Sequence, residues 1–317
     1  MKTKRILSVF LTALTLLLPL SACANTSDGD SRISIVTTNF ALYDLARAVC
    51  GDGCKVEMLI SPGSESHDFE ATLTDMAKIA DADLFVYVGG ESEEWVDGVF
   101  ESMGKSADGI RKIRALDIVS TYTEEELPGL SHDHGDHDDH GTIDEHVWTS
   151  IPNAVAIMEK ISEELYRIDE RVSDYVDPEL IREYRYELLK LHEEYKSVVE
   201  SASRKAIVVA DRFPFRYMVE EYGLEYYAAF SGCSSDTEPA LTTVNFLVET
   251  VKNEAIPVIF IIEFSSGATA RAVADETGAE ILTLHSAHNV TKEDFGSGIT
   301  YLEIMRQNLE ALKSALN

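Results

Sequence analysis

The sequence predicts an α/β protein of two lobes, each with a mainly parallel sheet and flanking helices, joined by a long rigid linking helix. Short apolar runs alternate with amphipathic stretches in both halves of the chain. Strands that alternate with helices indicate βαβ units and therefore parallel strands. Between the halves, a polar region from about Asn153 to Ser203 has apolar residues at helical spacing, which predicts the linking helix.

The N-terminal segment predicts export and lipid attachment. Lys2, Lys4 and Arg5 precede an apolar run that is too short and wrongly flanked for a membrane span, so residues 1–22 are expected to be a signal peptide. The run ends in Leu-Ser-Ala before Cys23, and small residues before a cysteine resemble the bacterial lipobox. We therefore expect Cys23 to carry a lipid anchor on the extracytoplasmic side of the cell membrane, and residues 23–31 to form a flexible tether. The alternative is an ordinary signal peptide with an incidental cysteine.

Residues 32–150 are expected to form the N-terminal lobe. Its expected strands are short apolar runs, and turn residues such as proline and glycine end several of them. The strands are expected at residues 34–38, 56–60, 84–88 and 113–116, and the helices at residues 42–49, 74–80 and 94–101.

Residues 151–203 are expected to be the helical linker, and residues 204–317 the C-terminal lobe. Within the linker, Pro178 suits a first helical turn and Asp177 suits its N-cap, so one helix is expected to begin there. In the C-terminal lobe, strands are expected at residues 206–210, 225–229, 258–262 and 280–284, and helices at residues 216–222, 243–253, 268–277 and about 301–316.

The chain is strongly acidic. Its formal charge is −29, and removal of the three signal-peptide cations gives about −32 for the mature chain. This charge argues against nucleic acid or anionic lipid as a partner. It is compatible with attracting cations, although an acidic surface that maintains solubility explains most of the carboxylates equally well.

Three cysteines remain once Cys23 is assigned to lipid. Cys50 and Cys54 flank Gly-Asp-Gly, and outside the reducing cytoplasm such a pair can form a disulfide. The pairing stays open, because so short a loop can strain the bridge. Cys233 is left as an odd thiol.

Four of the nine histidines are clustered in a His/Asp-rich loop at residues 131–141. The loop has no apolar residue between its histidines and is bounded by glycine, so it is expected to be solvated. Imidazoles interleaved with carboxylates suit zinc, copper or nickel, and we expect loose, exchanging sites. A polar insertion without metal contact is the alternative. The histidines of this loop are His132, His134, His137 and His140.

Three single histidines are candidates for one buried metal site. His67 follows a loop beyond the second expected strand, His146 lies before a helix, and His285 follows the last strand, with His288 three residues later. In open α/β sheets, ligands bind beyond the carboxyl ends of strands, so these side chains could converge in one cleft. Taken singly, each is more often a hydrogen-bonded surface histidine.

Four segments follow one another along the chain in a recognisable order. They are Pro62-Gly63 with His67-Asp68-Phe69-Glu70, Asp144-Glu145-His146-Val147-Trp148, Tyr222-Gly223-Leu224, and Glu238-Pro239 followed by Val258 to Glu263. These segments resemble those of a known family, the metal-binding solute-binding lipoproteins of zinc and manganese ABC importers, and the His/Asp-rich loop is similar to that of its zinc-type branch. The resemblance implies two α/β lobes bridged by a long helix, a metal between them, and a monomer that hands the ion to a membrane permease.

The resemblance also implies ligands, residue by residue. His67 fits the family's first histidine and His146 its second, whereas His285 stands where the family usually has an aspartate. The family's third ligand falls on Arg212, whose guanidinium has no lone pair to give. Asp211 could substitute for it.

The fourth donor stays open at this stage. If Asp211 does not supply it, three histidines are completed by water or by one of three side chains. Those side chains are Glu263, Cys233 and His288.

Three imidazoles with one oxygen donor form a zinc-type set, whereas manganese prefers more oxygens. The expected function is therefore extracytoplasmic capture of Zn2+, with manganese or another divalent transition metal less favoured, and its delivery to an ABC permease without catalysis. A zinc-dependent hydrolase is one alternative, because three histidines and an open position also describe a catalytic site. A surface adhesin-type lipoprotein is the other.

Overall fold

The computed structural model describes residues 32–65, 69–124, 142–169, 171–174, 176–232, 234 and 238–317. No described helix has both the length and the apolar character that crossing a bilayer requires. Several predicted features lie outside the described residues. They are the signal peptide 1–22, Cys23 with the tether, His67, the loop 131–141 with its four histidines, and Cys233.

The first sheet contains four parallel strands in the order β2-β1-β3-β4. Each strand and helix lies within two residues of its predicted position, so the N-terminal βαβ pattern is confirmed. Asn39 begins the first helix, because its side chain accepts the Leu42 N–H at 3.0 Å. The elements are β1 (Ile33–Thr37), α1 (Phe40–Cys50), β2 (Cys54–Met58), α2 (Leu73–Ala80), β3 (Leu84–Tyr87), α3 (Trp95–Met103) and β4 (Arg111–Arg114).

The second sheet repeats this topology, with four parallel strands in the order β6-β5-β7-β8. Its predicted elements are also confirmed within two residues. The structure adds a short helix, Lys292–Ser297, that was not predicted. The elements are β5 (Ala206–Val209), α6 (Arg216–Tyr222), β6 (Glu225–Ala228), α7 (Leu241–Asn253), β7 (Val258–Ile261), α8 (Ala268–Thr277), β8 (Glu280–Thr283), α9 (Lys292–Ser297) and α10 (Tyr301–Leu316).

Two helices connect the sheets, α4 (Ile151–Ile168) and α5 (Pro178–Ser201). The long helix α5 begins at Pro178 with Asp177 as its N-cap, as predicted. Tyr184 of α5 donates its hydroxyl proton to Asp44 of α1 at 3.0 Å. Tyr195, further along α5, donates to the Met305 carbonyl of α10 at 2.5 Å. The linking helix is therefore bonded to helices from both ends of the chain.

The largest hydrophobic core among the described residues runs through both halves. It includes Val86 of the first sheet, Leu188 of α5 and Phe260 of the second sheet, all fully buried. Residues 33–317 accordingly form one compact unit. Smaller apolar clusters cover the other face of each sheet. The loops at the carboxyl ends of the strands in both sheets are thus supported by the same packed core.

The pairing of Cys50 with Cys54, which the sequence left open, is formed as a disulfide with Cα atoms 5.5 Å apart. Cys50 ends α1 and Cys54 begins β2, so the bridge closes the turn between these two elements.

Candidate metal site

A small cavity lies between loops that follow strands of both sheets. Its volume is about 20 Å³, which is room for one water molecule or one dehydrated ion. A larger depression of about 700 Å³ lies beside β3 and β4, and no described histidine lines it. Of these two, the small cavity is lined by both imidazoles and carboxylates. Its polar lining residues are Glu65, His146, Glu263, Ser286, His288 and Asn289.

His146 is held by Asp144, two residues earlier. The His146 backbone N–H donates to Asp144 Oδ1 at 2.8 Å, and the ring Nδ1 lies 3.1 Å from the same oxygen. Because an ionised carboxylate only accepts hydrogen bonds, Nδ1 carries the proton and Nε2 keeps its lone pair. Both side chains are buried. A carboxylate behind a histidine is the arrangement that orients metal-binding imidazoles.

The charge of Asp144 also acts on the protonation of His146. Burial lowers the pKa of His146, but the negative charges of Asp144, Glu145 and Glu124 together outweigh it, so the pKa is raised above its ordinary value. Protons therefore compete for this ring at a higher pH than for an ordinary histidine.

His288 lies beside His146, and the Trp148 ring contacts both imidazoles. The imidazole centroids of His146 and His288 are 5.6 Å apart, with their planes nearly perpendicular. The Trp148 ring lies 5.1 Å from His288 and 5.5 Å from His146. Its indole N–H donates to the Ser286 carbonyl at 2.8 Å, which ties it to the loop that carries His288.

His285 does not line the cavity. Its Nδ1 accepts the Ala287 N–H at 2.9 Å, so the proton of the neutral ring is on Nε2. In this tautomer neither ring nitrogen offers a free lone pair to a metal. Asn308 fixes the His285 backbone at both its N–H and its carbonyl.

Asp211 and Arg212 follow β5, and Asp211 is also absent from the cavity lining. The Asp211 carboxylate accepts the Arg212 N–H at 2.9 Å. The Arg212 guanidinium makes an ion pair with Glu65 at 3.4 Å. Arg212, at the position where a ligand was sought, therefore binds a cavity carboxylate instead.

The loop that carries His288 also contacts the first half of the chain. The Asn289 side-chain amide donates to the Ser61 and Ser64 carbonyls, both at 2.8 Å. The Phe40 N–H donates to the His288 carbonyl at 2.9 Å. The segment after β2 that leads to residue 67 is thus fixed against the segment after β8.

Within the described part of the chain, no three His, Cys, Asp or Glu side chains are grouped closely enough to hold a metal ion. The described residues supply two imidazoles to the cavity, those of His146 and His288. Of the other two predicted histidines, His285 does not line the cavity and His67 lies outside the described residues.

Sequence reasoning missed the roles of several site residues. Asp144 and Trp148 were part of a recognised motif, and the spacing Asp-x-His was a usable signal for an orienting carboxylate. Glu65 and Ser286 carried no such signal, because their importance comes from contacts with residues far away in sequence.

Two parallel-sheet lobes joined by a long helix, with a small cavity between the loops of both sheets, define the class of two-lobed solute-binding proteins. The chain belongs to the ZnuA family, zinc-uptake complex component A, periplasmic, whose model matches residues 35–315. The resemblance seen in the sequence is thereby confirmed.

Individual relatives agree with this family. The zinc-binding lipoprotein AdcA of Streptococcus pneumoniae strain R6 is 34% identical over 93% of this chain and 58% of that protein. The chain thus spans a little over half the length of that relative. The high-affinity zinc uptake system protein ZnuA of Bacillus subtilis is 31% identical over 93% of both chains. The crystal structure of Zn(II)-bound AdcA from Streptococcus pneumoniae is 30% identical, has a TM-score of 0.72, and matches 90% of this chain and 58% of that one.

Proposed function

We propose that this protein captures Zn2+ outside the cytoplasmic membrane and delivers it to an ABC import permease. The observation that carries the proposal is the pair of imidazoles, His146 and His288, on a cavity large enough for one ion. Two imidazoles on one tetrahedral zinc, with Zn–N bonds of about 2.0–2.1 Å, have ring centroids roughly 5 Å apart. The observed separation is 5.6 Å, so a small inward adjustment brings both rings onto a single ion.

The proposed ligands are His67, His146 and His288. His67 is included because Glu65, two residues before it, lines the cavity. His288 takes the place predicted for His285, since the Nδ1 of His285 is engaged by the Ala287 N–H. Asp211 or water supplies the fourth donor, since both carboxylate oxygens of Glu263 already accept hydrogen bonds from Ser286. Three nitrogen donors favour zinc over manganese.

The anchor and the partner complete the proposal. Cys23 carries the lipid that keeps the protein beside the membrane, and the captured ion passes to the permease without diffusing away. The protein acts as a monomer. The loop histidines, His132 to His140, contribute additional, weaker zinc sites.

Capture fits better than the two alternatives. The family and the relatives are named for zinc binding and zinc uptake, which supports transport over a zinc-dependent hydrolase. An adhesin role does not exclude metal binding, and the cavity geometry bears only on the metal. We accordingly propose a binding protein without catalysis.

The test is zinc affinity, measured by competition with a chelating dye, for the wild type and four single variants. His67→Ala, His146→Ala and His288→Ala are each expected to weaken binding by at least about 100-fold, because each removes a bond to the metal. His192→Ala, on α5 and outside the cavity lining, is the matched control and is expected to stay within a few-fold of the wild type.

A wild type that does not bind zinc, or a His288→Ala variant that binds as tightly as the wild type, would overturn the proposed site. A crystal structure with anomalous scattering at the zinc edge identifies the ion and the fourth donor. Mass spectrometry of the N-terminus tests the anchor, since Cys23→Ser should remove the acyl chains and release the protein from membranes.

A further inference from the structure

We propose that Glu263 is a positioning residue that holds the loop carrying His288, and that it acts on the metal through that histidine. This inference rests on the zinc site proposed above. Glu263 follows β7 and the loop follows β8, and these two strands are paired in parallel. Their carboxyl ends therefore place the carboxylate beside the loop.

A series of three hydrogen bonds joins the carboxylate to the backbone of His288. The Ser286 N–H donates to Glu263 Oε2 at 2.8 Å, and the Ser286 hydroxyl donates to Glu263 Oε1. The same hydroxyl oxygen accepts the His288 N–H at 3.1 Å. Both the Glu263 side chain, 8% exposed, and Ser286 are buried, and bonds to an ionised acceptor are stronger than neutral ones.

The loop needs this support because its backbone is strained. Ala287, between Ser286 and His288, has φ 59°, a left-handed conformation that is unfavourable for residues other than glycine. Such a residue keeps its conformation only where its surroundings hold it. Ser286 is held by Glu263 on one side, and the Ala287 N–H is held by His285 Nδ1 on the other.

These contacts indicate that Glu263 positions the loop and does not itself bind the metal. Two of the roughly four lone pairs of a carboxylate are given to Ser286, one on each oxygen. The carboxylate thus fixes where His288 stands, and the imidazole makes the bond to zinc. His285 Nδ1 lies a further 3.6 Å from Glu263 Oε2, so the same carboxylate also faces the other contact of the strained turn.

A double-mutant cycle separates positioning from coordination. Zinc affinity is measured by dye competition for Glu263→Gln, His288→Ala and the double variant. Glu263→Gln keeps the size of the side chain but replaces one acceptor oxygen by a donor, and about a 10–100-fold loss is expected. The double variant is expected to bind zinc no more weakly than His288→Ala, because without the His288 imidazole Glu263 has no metal ligand left to position.

Three further measurements make the result specific. The visible absorption bands of bound Co2+ are expected to keep their positions in Glu263→Gln, since the set of donor atoms is unchanged. Ser286→Ala, which leaves the Glu263 charge in place, is expected to reproduce the affinity loss even if Glu263→Gln proves unstable. Glu280→Gln, at an exposed position on β8, is the matched control and should bind as the wild type does.

Two outcomes overturn the inference while leaving the zinc site in place. One is unchanged affinity in both Glu263→Gln and Ser286→Ala. The other is a double variant weaker than His288→Ala by the full Glu263→Gln factor, together with shifted Co2+ bands, which would make Glu263 a ligand. Failure of the proposed function looks different, because then the wild type itself does not bind zinc, or His288→Ala binds zinc as tightly as the wild type.

Discussion

Replacing Asp144 by asparagine tests how His146 is prepared for metal. Asp144 Oδ1 accepts hydrogen bonds from the backbone N–H and from the Nδ1–H of His146, at 2.8 and 3.1 Å. Asparagine keeps the shape and one acceptor oxygen but removes the negative charge. The ring should therefore stay in place while its basicity falls.

Removing the charge has two opposing effects on the zinc affinity, and their balance changes as the pH is lowered. At pH 8, loss of the charge behind the ring is expected to weaken zinc binding by about 10–100-fold, or roughly 1.4–2.7 kcal/mol. Burial lowers the pKa of His146, and Asp144 is the strongest influence that raises it. Without the charge the pKa falls, so protons compete less with zinc in the variant as the pH drops. The affinity gap between wild type and variant should therefore narrow from pH 8 to pH 6.

The assay is zinc competition with a chelating dye at pH 8, 7 and 6, with the melting temperature of the metal-free protein recorded for each variant. Asp108→Asn, at an exposed position in the same lobe, is the matched control and should follow the wild type throughout. Affinity curves of the wild type and Asp144→Asn that run parallel across the three pH values would refute the reasoning. Such curves would mean that Asp144 does not govern the protonation of His146.

The remaining predictions concern a glycine, a buried carboxyl group and the histidine loop. Gly232→Ala should weaken zinc binding, because its Cβ would lie 3.1 Å from Asp144 Oδ2; Gly98→Ala, with open space around it, is the dye-competition control. Burial raises the pKa of the Glu93 carboxyl group to about 7, above its value in the unfolded chain. The protonated Glu93 side chain therefore stabilises the fold fully at low pH, and this stabilisation is lost as the pH rises through about 7. Urea unfolding should show the wild type losing about 2 kcal/mol more than Glu93→Gln between pH 5 and 8. Deleting residues 132–140 should lower the zinc stoichiometry in equilibrium dialysis and leave the tightest site nearly intact. Loss of the tightest site would mean that the loop histidines, and not the cavity, bind zinc most tightly.

The fold was predictable because its strands and helices differ in the spacing of their apolar residues and in the turn residues that end them. Buried parallel strands are short apolar runs, and turn residues separate them from the amphipathic helices, so the boundaries were found within two residues. The helix Lys292–Ser297 escaped prediction since it is six residues long and contains no buried residue. A helix without a buried stripe has no hydrophobic period to detect.

The site was less predictable because two histidines follow the same strand. His285 and His288 both lie beyond β8, and spacing alone does not choose between them. In the structure His288 lies at the cavity beside His146, and Ala287, directly before it, has a left-handed φ of 59°. An alanine gives no warning of a left-handed backbone, whereas a glycine would have done so. The contact that supports this turn comes from Glu263, in another loop.

Arg212 shows how a departure from the family pattern is accommodated. A guanidinium cannot bind zinc, but here it pairs with Glu65 at 3.4 Å, joining the loop after β5 to the loop after β2. Both side chains are partly exposed, so the pair contributes roughly 1 kcal/mol or less. Its consequence is therefore geometric and electrostatic: a cation occupies the place of a donor and neutralises one of the carboxylates that line the cavity. With one oxygen donor fewer to offer, the cavity depends on its imidazoles, and in the zinc site that we propose this dependence favours zinc over manganese.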